Sequence, residues 1–287
     1  MTLYQLLQEG CEELRAAGDT DAAEDARQLL LAAFHLDTVH YLLNRMQELP
    51  DDEEAHASTK RYREMVARRR SRCPQQQILG SQEFMGLEFY VNQHVLIPRQ
   101  DTETLVELVL EEQEGADKKV LDLCTGSGCI AISLAVKGGY RDITATDISG
   151  EALKVARRNA KKHGCAGQIG LYQGDLFQAL ELLEGPVFDV ITSNPPYIPT
   201  AVIRTLEPEV RDYEPMLALD GKEDGLLYYR RIAAEAKAYL AEGGSLYLEI
   251  GHDQGEAVRD IFQAEGYQDI RICKDLPGND RVVCARR

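Results

Sequence analysis

The sequence predicts an α/β protein built on a doubly wound parallel sheet, with a small all-α domain at its N-terminus. Strand-like and helix-like segments alternate from residue 101 onward, whereas residues 1–72 show helical periodicity alone. Two short strand-like runs, 270–273 and 282–285, end the sequence and predict a closing hairpin with an antiparallel strand. The expected organisation is a helical domain at 1–73, a β-hairpin linker at 74–98 and an α/β domain at 99–287.

Composition and charge restrict the classes of protein that this sequence can belong to. With 44% hydrophobic and 28% charged residues and no run of about 18 apolar positions, a globular protein without membrane segments is expected. The first residues lack the basic and apolar regions of an export signal, so a cytoplasmic location is expected. A net charge of −16 weighs against nucleic-acid binding, so no direct DNA contact is expected.

The cysteines predict neither disulfides nor a metal site. There are 7 of them, an odd number, and no Cys-x-x-Cys pair occurs. We therefore expect reduced thiols, and no bound metal.

The N-terminal block predicts several amphipathic helices, because apolar residues recur there at spacings of three to four. Its last helix carries a basic run that is open to two interpretations, a solvated helix face or a docking surface for an acidic or RNA-bound partner. The run consists of Lys60, Arg61, Arg63, Arg68, Arg69, Arg70 and Arg72.

Pro74 closes the helical block, and Gly80 and Gly86 punctuate the predicted hairpin that follows. Beyond it, helices and strands alternate as parallel sheets require. The predicted helices are 102–112, 129–136, 151–163 and 254–264, and the predicted strands are 120–123, 143–146, 170–173, 188–192 and 245–250. With the antiparallel closing hairpin, this pattern resembles the class I methyltransferase fold.

A glycine-bearing turn, Cys124 to Gly128, joins the first strand of the sheet to a helix that begins near Cys129. Such turns let a ligand approach the backbone and the free N–H groups of the helix. Gly126 to Ala131 also satisfies the dinucleotide fingerprint, so the turn alone leaves a nicotinamide cofactor possible. Asp122 at the strand end favours S-adenosylmethionine, which brings an ammonium group near the turn and no pyrophosphate.

Acidic residues also follow the next two strands. Asp147 can accept both ribose hydroxyls of a bound cofactor, because a carboxylate holds two donors well. The segment Gly174 to Leu176 is placed to contact the adenine ring. The alternative role for each of these aspartates is a helix N-cap.

The block Asn194-Pro195-Pro196-Tyr197 follows the fourth strand and points to methylation of a planar nitrogen. An amide nitrogen is a poor nucleophile because its lone pair is delocalised, so it must be held toward the methyl group. The Asn194 side-chain oxygen and the Pro195 carbonyl can each accept one N–H, which favours positive charge developing on nitrogen. Tyr197 offers a face for stacking.

Several further stretches extend the similarity to one family. They are 78–86, 95–103, 121–131, 194–198 and the pairs Glu214-Pro215 and Ala218-Leu219. Together they closely resemble the HemK/PrmC family, the peptide chain release factor N5-glutamine methyltransferases. The resemblance implies S-adenosyl-L-methionine as cofactor and class I release factors as protein substrates, whose Gly-Gly-Gln loop enters the active site while the small domain grips the factor.

The resemblance also implies the site residues. Asn194, Pro195, Pro196 and Tyr197 would hold the glutamine, with Asn194, Pro195 and Tyr197 acting in catalysis. The cofactor would be lined by Cys124, Thr125, Gly126, Ser127, Gly128, Asp147, Leu176 and Asn194.

This sequence departs from the family at Cys124, where glycine is usual, and at Gln100, where proline is usual. Cofactor binding is expected to survive the first change unless the position requires a positive φ. Arg99 and Glu103 are retained beside Gln100, and Arg99 is open to a structural ion pair or a catalytic contact. Two other functions stay open: an N-methyltransferase acting on adenine or guanine in nucleic acid, and a cofactor-binding protein that sequesters release factors without turnover.

Overall fold

The computed structural model describes residues 1–181 and 183–287. The helices are α1 (Leu3–Ala16), α2 (Ala22–Phe34), α3 (Thr38–Asn44), α4 (Glu53–Arg70), α5 (Gln75–Leu79), α6 (Glu103–Glu112), α7 (Cys129–Gly138), α8 (Gly150–Lys162), α9 (Thr200–Ile203), α10 (Pro208–Arg211), α11 (Met216–Leu219), α12 (Leu227–Glu235) and α13 (Gly255–Ala264). The strands are β1 (Ser81–Phe84), β2 (Leu87–Tyr90), β3 (Lys119–Leu123), β4 (Asp142–Asp147), β5 (Ile169–Gln173), β6 (Phe188–Ser193), β7 (Leu240–Glu249), β8 (Gln268–Lys274) and β9 (Asp280–Arg286).

The main sheet has 7 strands in the order β5-β4-β3-β6-β7-β9-β8. Strands β3 to β7 run parallel to one another, whereas β9 lies antiparallel between β7 and β8. This confirms the predicted doubly wound sheet with its antiparallel closing strand. The chain winds outward from β3 to β5 and then returns to β6 on the other side of β3. The ends of β3 and β6 therefore flank the crevice where such sheets bind ligands.

Both faces of this sheet are covered, because neighbouring strand residues point to opposite sides. Val120 belongs to one hydrophobic cluster together with side chains of α6, α7 and α8, and Leu121 belongs to another with side chains of α12 and α13. Burial on both faces explains why the central strands are almost continuously apolar.

Helix α12 is the main element that the sequence analysis did not predict. Its apolar positions Tyr229, Ile232 and Ala233 recur at helical spacing and are fully buried in the second cluster. That periodicity is a usable signal, and the helix supplies the expected crossover between β6 and β7. The short helices α3, α5 and α9 to α11 were also not predicted.

The chain divides into two compact units. One consists of Met1–Gly80 together with Pro208–Tyr213, and the other of Ser81–Glu207 together with Glu214–Arg287. Within the described residues, no helix is both long and apolar enough to span a membrane.

The helical unit is held by an apolar cluster from α1, α2 and α4 and by a buried ion-pair network. Arg69 is 9% exposed, and its guanidinium lies 2.5 Å from Asp25, 3.1 Å from Asp19 and 2.8 Å from Glu209. Other arginines of the basic run also pair within this unit, for example Arg63 with Glu9 at 3.2 Å. Several charges of the run therefore balance acidic residues of the same unit.

A two-stranded hairpin opens the second unit. Strands β1 and β2 pair antiparallel with Phe84 opposite Leu87. The turn residues Met85 and Gly86 have φ of 53° and 68°, as the tight turns that suit hairpin twist require. The rings of Phe84 and Phe89 are buried and meet edge to face at 6.0 Å.

Candidate active site

A cleft opens where β3, β4, β5 and β6 end, at the edge where open α/β sheets bind their ligands. Of the residues predicted to form the site, it is lined by Cys124, Thr125, Gly126, Ser127, Asp147, Leu176, Asn194 and Pro196. Three others, Gly128, Pro195 and Tyr197, are not among its lining residues in the described chain. The topology therefore brings together most of the predicted residues from four separate strand ends.

Gly128 allows two helices, α7 and α8, to pack closely together beneath the cleft. Its φ is 81°, and a Cβ there would lie 3.0 Å from the Ile132 side chain and 3.2 Å from the Ala156 side chain. Only a glycine allows α7 to begin so close to α8. Helix α7 then presents its first turn, from Cys129, toward the cleft.

Cys124 adopts a conformation that glycine would adopt without strain. Its φ is 58°, so the condition under which cofactor binding was expected to suffer is met. A left-handed conformation costs a residue with a β-carbon about 1–2 kcal/mol. Burial raises the pKa of the Cys124 thiol, which therefore stays protonated at neutral pH.

Asp147, at the end of β4, is held by two backbone donors. Its Oδ2 accepts from the Gly126 N–H at 2.9 Å and its Oδ1 from the Ser149 N–H at 2.8 Å. Burial raises its pKa, and these two hydrogen bonds oppose that shift. Ser149, rather than Asp147, caps α8, so the Asp147 carboxylate keeps lone pairs for a ligand in the cleft.

Asp122, near the end of β3, lies in the interior of the protein. Its side chain is fully buried, with Oδ2 accepting from Thr125 Oγ1 at 2.6 Å and Oδ1 from Thr192 Oγ1 at 2.9 Å. Burial raises its pKa to about 7. The Asp122 side chain is not among the groups that line the cleft. It joins β3, β6 and the turn instead.

The segment after β5 contributes one charged and one apolar residue to the lining of the cleft. Asp175 forms an ion pair with Arg231 at 2.9 Å and makes no side-chain capping bond to the short 3-10 helix that follows. Leu176 has a φ of 50° and is 4% exposed while lining the cleft.

The Asn194-Pro195-Pro196-Tyr197 block is held from several sides. Before it, Ser193 Oγ donates to the Leu123 carbonyl at 2.9 Å. Asn194 Nδ2 donates to Thr102 Oγ1 at 3.3 Å, and the Tyr197 carbonyl accepts from Gln254 Nε2 at 2.9 Å. Burial raises the pKa of the Tyr197 phenol, which therefore remains uncharged.

The loop before α12 packs directly on this block, and the sequence analysis missed its contribution. At Gly225, where φ is 75°, a Cβ would lie 2.3 Å from the Tyr197 carbonyl oxygen. No larger residue fits there without moving the block. A second missed residue is Glu249, the last residue of β7, whose carboxylate is buried beside Tyr197. The glycine in an otherwise charged loop was a usable signal, whereas Glu249 left none.

Arg99 is engaged in an ion pair. Its guanidinium donates to both carboxylate oxygens of Glu214, at 2.9 and 2.8 Å, and Glu214 also accepts from the Ile97 N–H at 3.3 Å. Glu103 accepts from the backbone N–H of Met85 and so ties α6 to the hairpin turn. Arg99 also lines the cleft.

Comparison with known proteins agrees with this geometry. Residues 5–80 match the family model described as PrmC N-terminal domain, and residues 100–205 match the model described as Methyltransferase small domain. A methyltransferase structure from Pyrococcus furiosus superimposes with a TM-score of 0.51 at 19% identity, covering 71% of this chain and 90% of that one. That likeness supports the fold.

Curated relatives match over nearly the whole chain. A release factor glutamine methyltransferase from Geobacter sulfurreducens is 44% identical over 273 residues, which cover 95% of this chain and 92% of the relative. One of the same name from Moorella thermoacetica is 44% identical over 289 residues, covering 100% and 99%. Both units of the fold therefore have counterparts in these relatives, and the chain belongs to the release factor glutamine methyltransferase family.

Proposed function

We propose that this protein transfers a methyl group from S-adenosylmethionine to the side-chain amide nitrogen, N5, of the glutamine in the Gly-Gly-Gln motif of class I peptide chain release factors. The observation that carries the proposal is the position of Asn194, at the end of β6 and in the wall of the cleft. The cytoplasmic location expected from the sequence is part of the same proposal.

The cleft suits S-adenosylmethionine. Asp147 has free lone pairs for the ribose hydroxyls, Leu176 offers an apolar wall for the adenine, and the turn at Gly126 leaves open space. Apart from Gly126 itself and its two neighbours in the chain, no heavy atom of the described residues lies within 4 Å of where a Cβ of Gly126 would stand. When bound, this cofactor supplies an electrophilic methyl group on sulfur.

The substrate amide would be held by acceptors. In the described chain the Asn194 side chain donates through Nδ2, and no hydrogen bond engages its Oδ1. That oxygen is free to accept one N–H of the glutamine, and the Pro195 carbonyl would accept the other. Two acceptors align the nitrogen lone pair and favour the positive charge that develops there. Orientation supplies much of the rate enhancement.

No strong base is required in this scheme. The methylated nitrogen is cationic and acidic enough to lose its proton to water. The phenol of Tyr197 is neutral and the thiol of Cys124 is protonated, so neither is a base that would remove a proton from the substrate. This accords with a site that works by holding the substrate in place.

The helical unit would grip the release factor. Supporting this role, α3 and the residue two positions beyond it expose large apolar side chains, with Leu43 72% and Met46 68% exposed. Exposed apolar groups of this kind mark binding surfaces when they cluster. Replacing both with glutamate should raise KM for release factor by about 10-fold or more without weakening cofactor binding. Val187→Glu, at an exposed apolar position of the other unit, is the matched control.

One assay tests the function itself. Labelled S-adenosylmethionine is incubated with the protein and with purified release factor, total RNA or DNA, and the labelled product is identified by mass spectrometry. The proposal expects label on the Gly-Gly-Gln glutamine alone. Label in RNA or DNA would favour the nucleic-acid alternative, and cofactor binding without transfer would favour the sequestering protein. Tight NAD binding without affinity for S-adenosylmethionine would exclude both methyltransferase functions.

A further inference from the structure

Asn159 is a buried amide of α8 that contacts both the hairpin and the glycine turn. The residue is 0% exposed. Its Oδ1 accepts from the Tyr90 N–H at 2.8 Å, and its Nδ2 donates to the Tyr90 carbonyl at 3.0 Å and to the Ser127 carbonyl at 2.9 Å. Tyr90 ends β2, and Ser127 belongs to the glycine turn after β3. Asn159 therefore joins two segments that are distant in the chain.

Every hydrogen-bonding group of this amide has a backbone partner. A side-chain amide has one oxygen that accepts and two N–H groups that donate, and its partners are one N–H and two carbonyls. Turning the amide over would set its oxygen against two carbonyl oxygens and its N–H groups against another N–H. The backbone therefore fixes its orientation, and a buried polar group satisfied in this way holds its partners rigidly.

The Ser127 carbonyl needs such a partner because the next residue is a glycine. Gly128 has a φ of 81°, and glycine adopts either sign of φ readily. The peptide group between these two residues is held at both ends, its oxygen by Asn159 and its N–H by the Thr125 carbonyl at 2.8 Å. Without Asn159 the oxygen is released, and Gly128 offers little resistance to rotation of the peptide.

The hairpin contact leads to another part of the cleft. The chain after Tyr90 packs on α8 in a small hydrophobic cluster, and the Arg158 guanidinium lies over the Tyr90 ring, 3.4 Å from its centroid. The same segment then contributes four residues to the lining of the cleft, His94, Val95, Leu96 and Pro98. The glycine turn and this segment form different parts of the lining, and the Asn159 amide connects them.

We propose that Asn159 is a positioning residue for cofactor binding, which fixes the Ser127 carbonyl of the glycine turn relative to the backbone of Tyr90. Both parts of the lining are then in place before S-adenosylmethionine binds. Asn159 does not itself line the cleft, so it acts through its two backbone partners. The inference rests on the proposed function for the identity of the cofactor.

The first experiment measures S-adenosylmethionine binding to the full chain by calorimetry. Asn159→Ala removes all three hydrogen bonds, whereas Asn159→Asp keeps an acceptor for the Tyr90 N–H but sets a carboxylate oxygen against the Ser127 carbonyl. Both changes should weaken binding by roughly 10- to 100-fold, because a buried carbonyl loses its donor.

Tyr140→Phe is the control for that experiment. It also removes a buried hydrogen bond from a side chain to a backbone carbonyl, that of Gln113. Tyr140 precedes β4 and so lies at the opposite end of this strand from Asp147. The control should bind the cofactor with wild-type affinity.

Steady-state kinetics on release factor separates positioning from a general loss of structure. The two Asn159 variants should raise KM for S-adenosylmethionine by the same factor as the dissociation constant. Their kcat at saturating cofactor and their KM for release factor should stay within about twofold of wild type. Variants that lose kcat while keeping the wild-type KM for cofactor would contradict the inference.

Hydrogen exchange supplies a test that does not depend on a variant folding. Coupling between two sites is reciprocal, so cofactor bound at the turn should slow exchange of the Tyr90 N–H, which Asn159 holds. In Asn159→Asp this slowing should be smaller. Wild-type exchange at Tyr90 that is unchanged by cofactor, or Asn159 variants with wild-type affinity, would overturn the inference.

The same measurements distinguish this inference from the proposed function. A wild type that binds S-adenosylmethionine with these effects but leaves release factor unmodified would overturn the proposed function alone. A wild type without affinity for S-adenosylmethionine would overturn both.

Discussion

The carboxylate of Asp147 and the backbone N–H of Gly126 are joined by a hydrogen bond of 2.9 Å. This contact links the end of β4 to the glycine turn that follows β3. The two parts of the proposed cofactor site therefore form one structural feature, and Asp147 has a structural role beside the ligand-binding role that we propose for it.

Replacing Asp147 with alanine should weaken S-adenosylmethionine binding by about 1–3 kcal/mol, because the ribose hydroxyls lose their acceptor in a partly buried site. Isothermal titration calorimetry measures the change. Asp142→Ala, at the exposed opposite end of the same strand, is the control and should bind normally. Equal affinities in the two variants would refute the ribose assignment.

The left-handed backbone at Cys124 makes a prediction about stability. Cys124→Gly and Cys124→Ala remove the same thiol, but only the alanine keeps a β-carbon at a φ of 58°. The glycine variant should therefore be more stable than the alanine variant by about 1–2 kcal/mol. Thermal unfolding followed by circular dichroism should place its midpoint a few degrees higher. If the alanine variant were the more stable of the two, the strain at this position would be negligible.

Asn194→Ala should lower turnover on release factor by about 100-fold or more, because the lost acceptor matters most as charge develops on nitrogen. Cofactor affinity should fall less. Asn194→Asp keeps an acceptor oxygen while losing the amide donor to Thr102, so partial activity would support the acceptor role. Single-turnover kinetics with saturating cofactor separates the effects. Near-normal turnover in Asn194→Ala would contradict the amide-holding scheme.

Asp122 predicts how stability depends on pH. Its pKa is about 7 in the folded protein against an ordinary value of 3.8, so between these pH values the folded state retains a proton that the unfolded state has lost. The stabilisation from this group is present below about pH 4 and is lost as pH rises through about 7. Asp122→Asn should remove that loss.

The comparison is made by urea unfolding of wild type and Asp122→Asn at several pH values. From pH 4 to pH 7 the wild type should lose stability relative to the variant by on the order of 1–4 kcal/mol, since one pKa unit is worth about 1.4 kcal/mol. A stability difference that stays constant over this range would contradict the elevated pKa. Asp142→Asn, at an exposed position on β4, should track the wild type.

Much of the fold could be predicted because its signals are local. The apolar run of β3, the glycine turn and the helical spacing of α8 are each contained within a few consecutive residues. Even the grouping of Asp147, Leu176 and Asn194 followed from sequence, since the carboxyl ends of parallel strands meet at one edge. The resemblance to one family could also be found in the sequence, because the Asn194 block and the further stretches that carry it are each runs of consecutive residues.

Other features depended on the course of the whole chain. Arg99 pairs with Glu214, and Glu249 reaches the Asn194 block, across separations in sequence that carry no periodic signal. The segment Pro208–Tyr213 belongs to the helical unit although the catalytic unit surrounds it in sequence, and its Glu209 completes the Arg69 network.

The sequence by itself determined the order of strands and helices, the glycine turn after β3 and the position of the Asn194 block after β6, because short-range propensity and strand-end geometry suffice for them. Only the tertiary structure decided that Asp122 lies beneath the turn, that Cys124 is left-handed and that Glu249 is buried beside Tyr197. The physical reason is that burial and partner choice are set by which distant groups meet in space. An aspartate or glutamate gives the same signal in the sequence whether its carboxylate will face a ligand, a threonine or another strand.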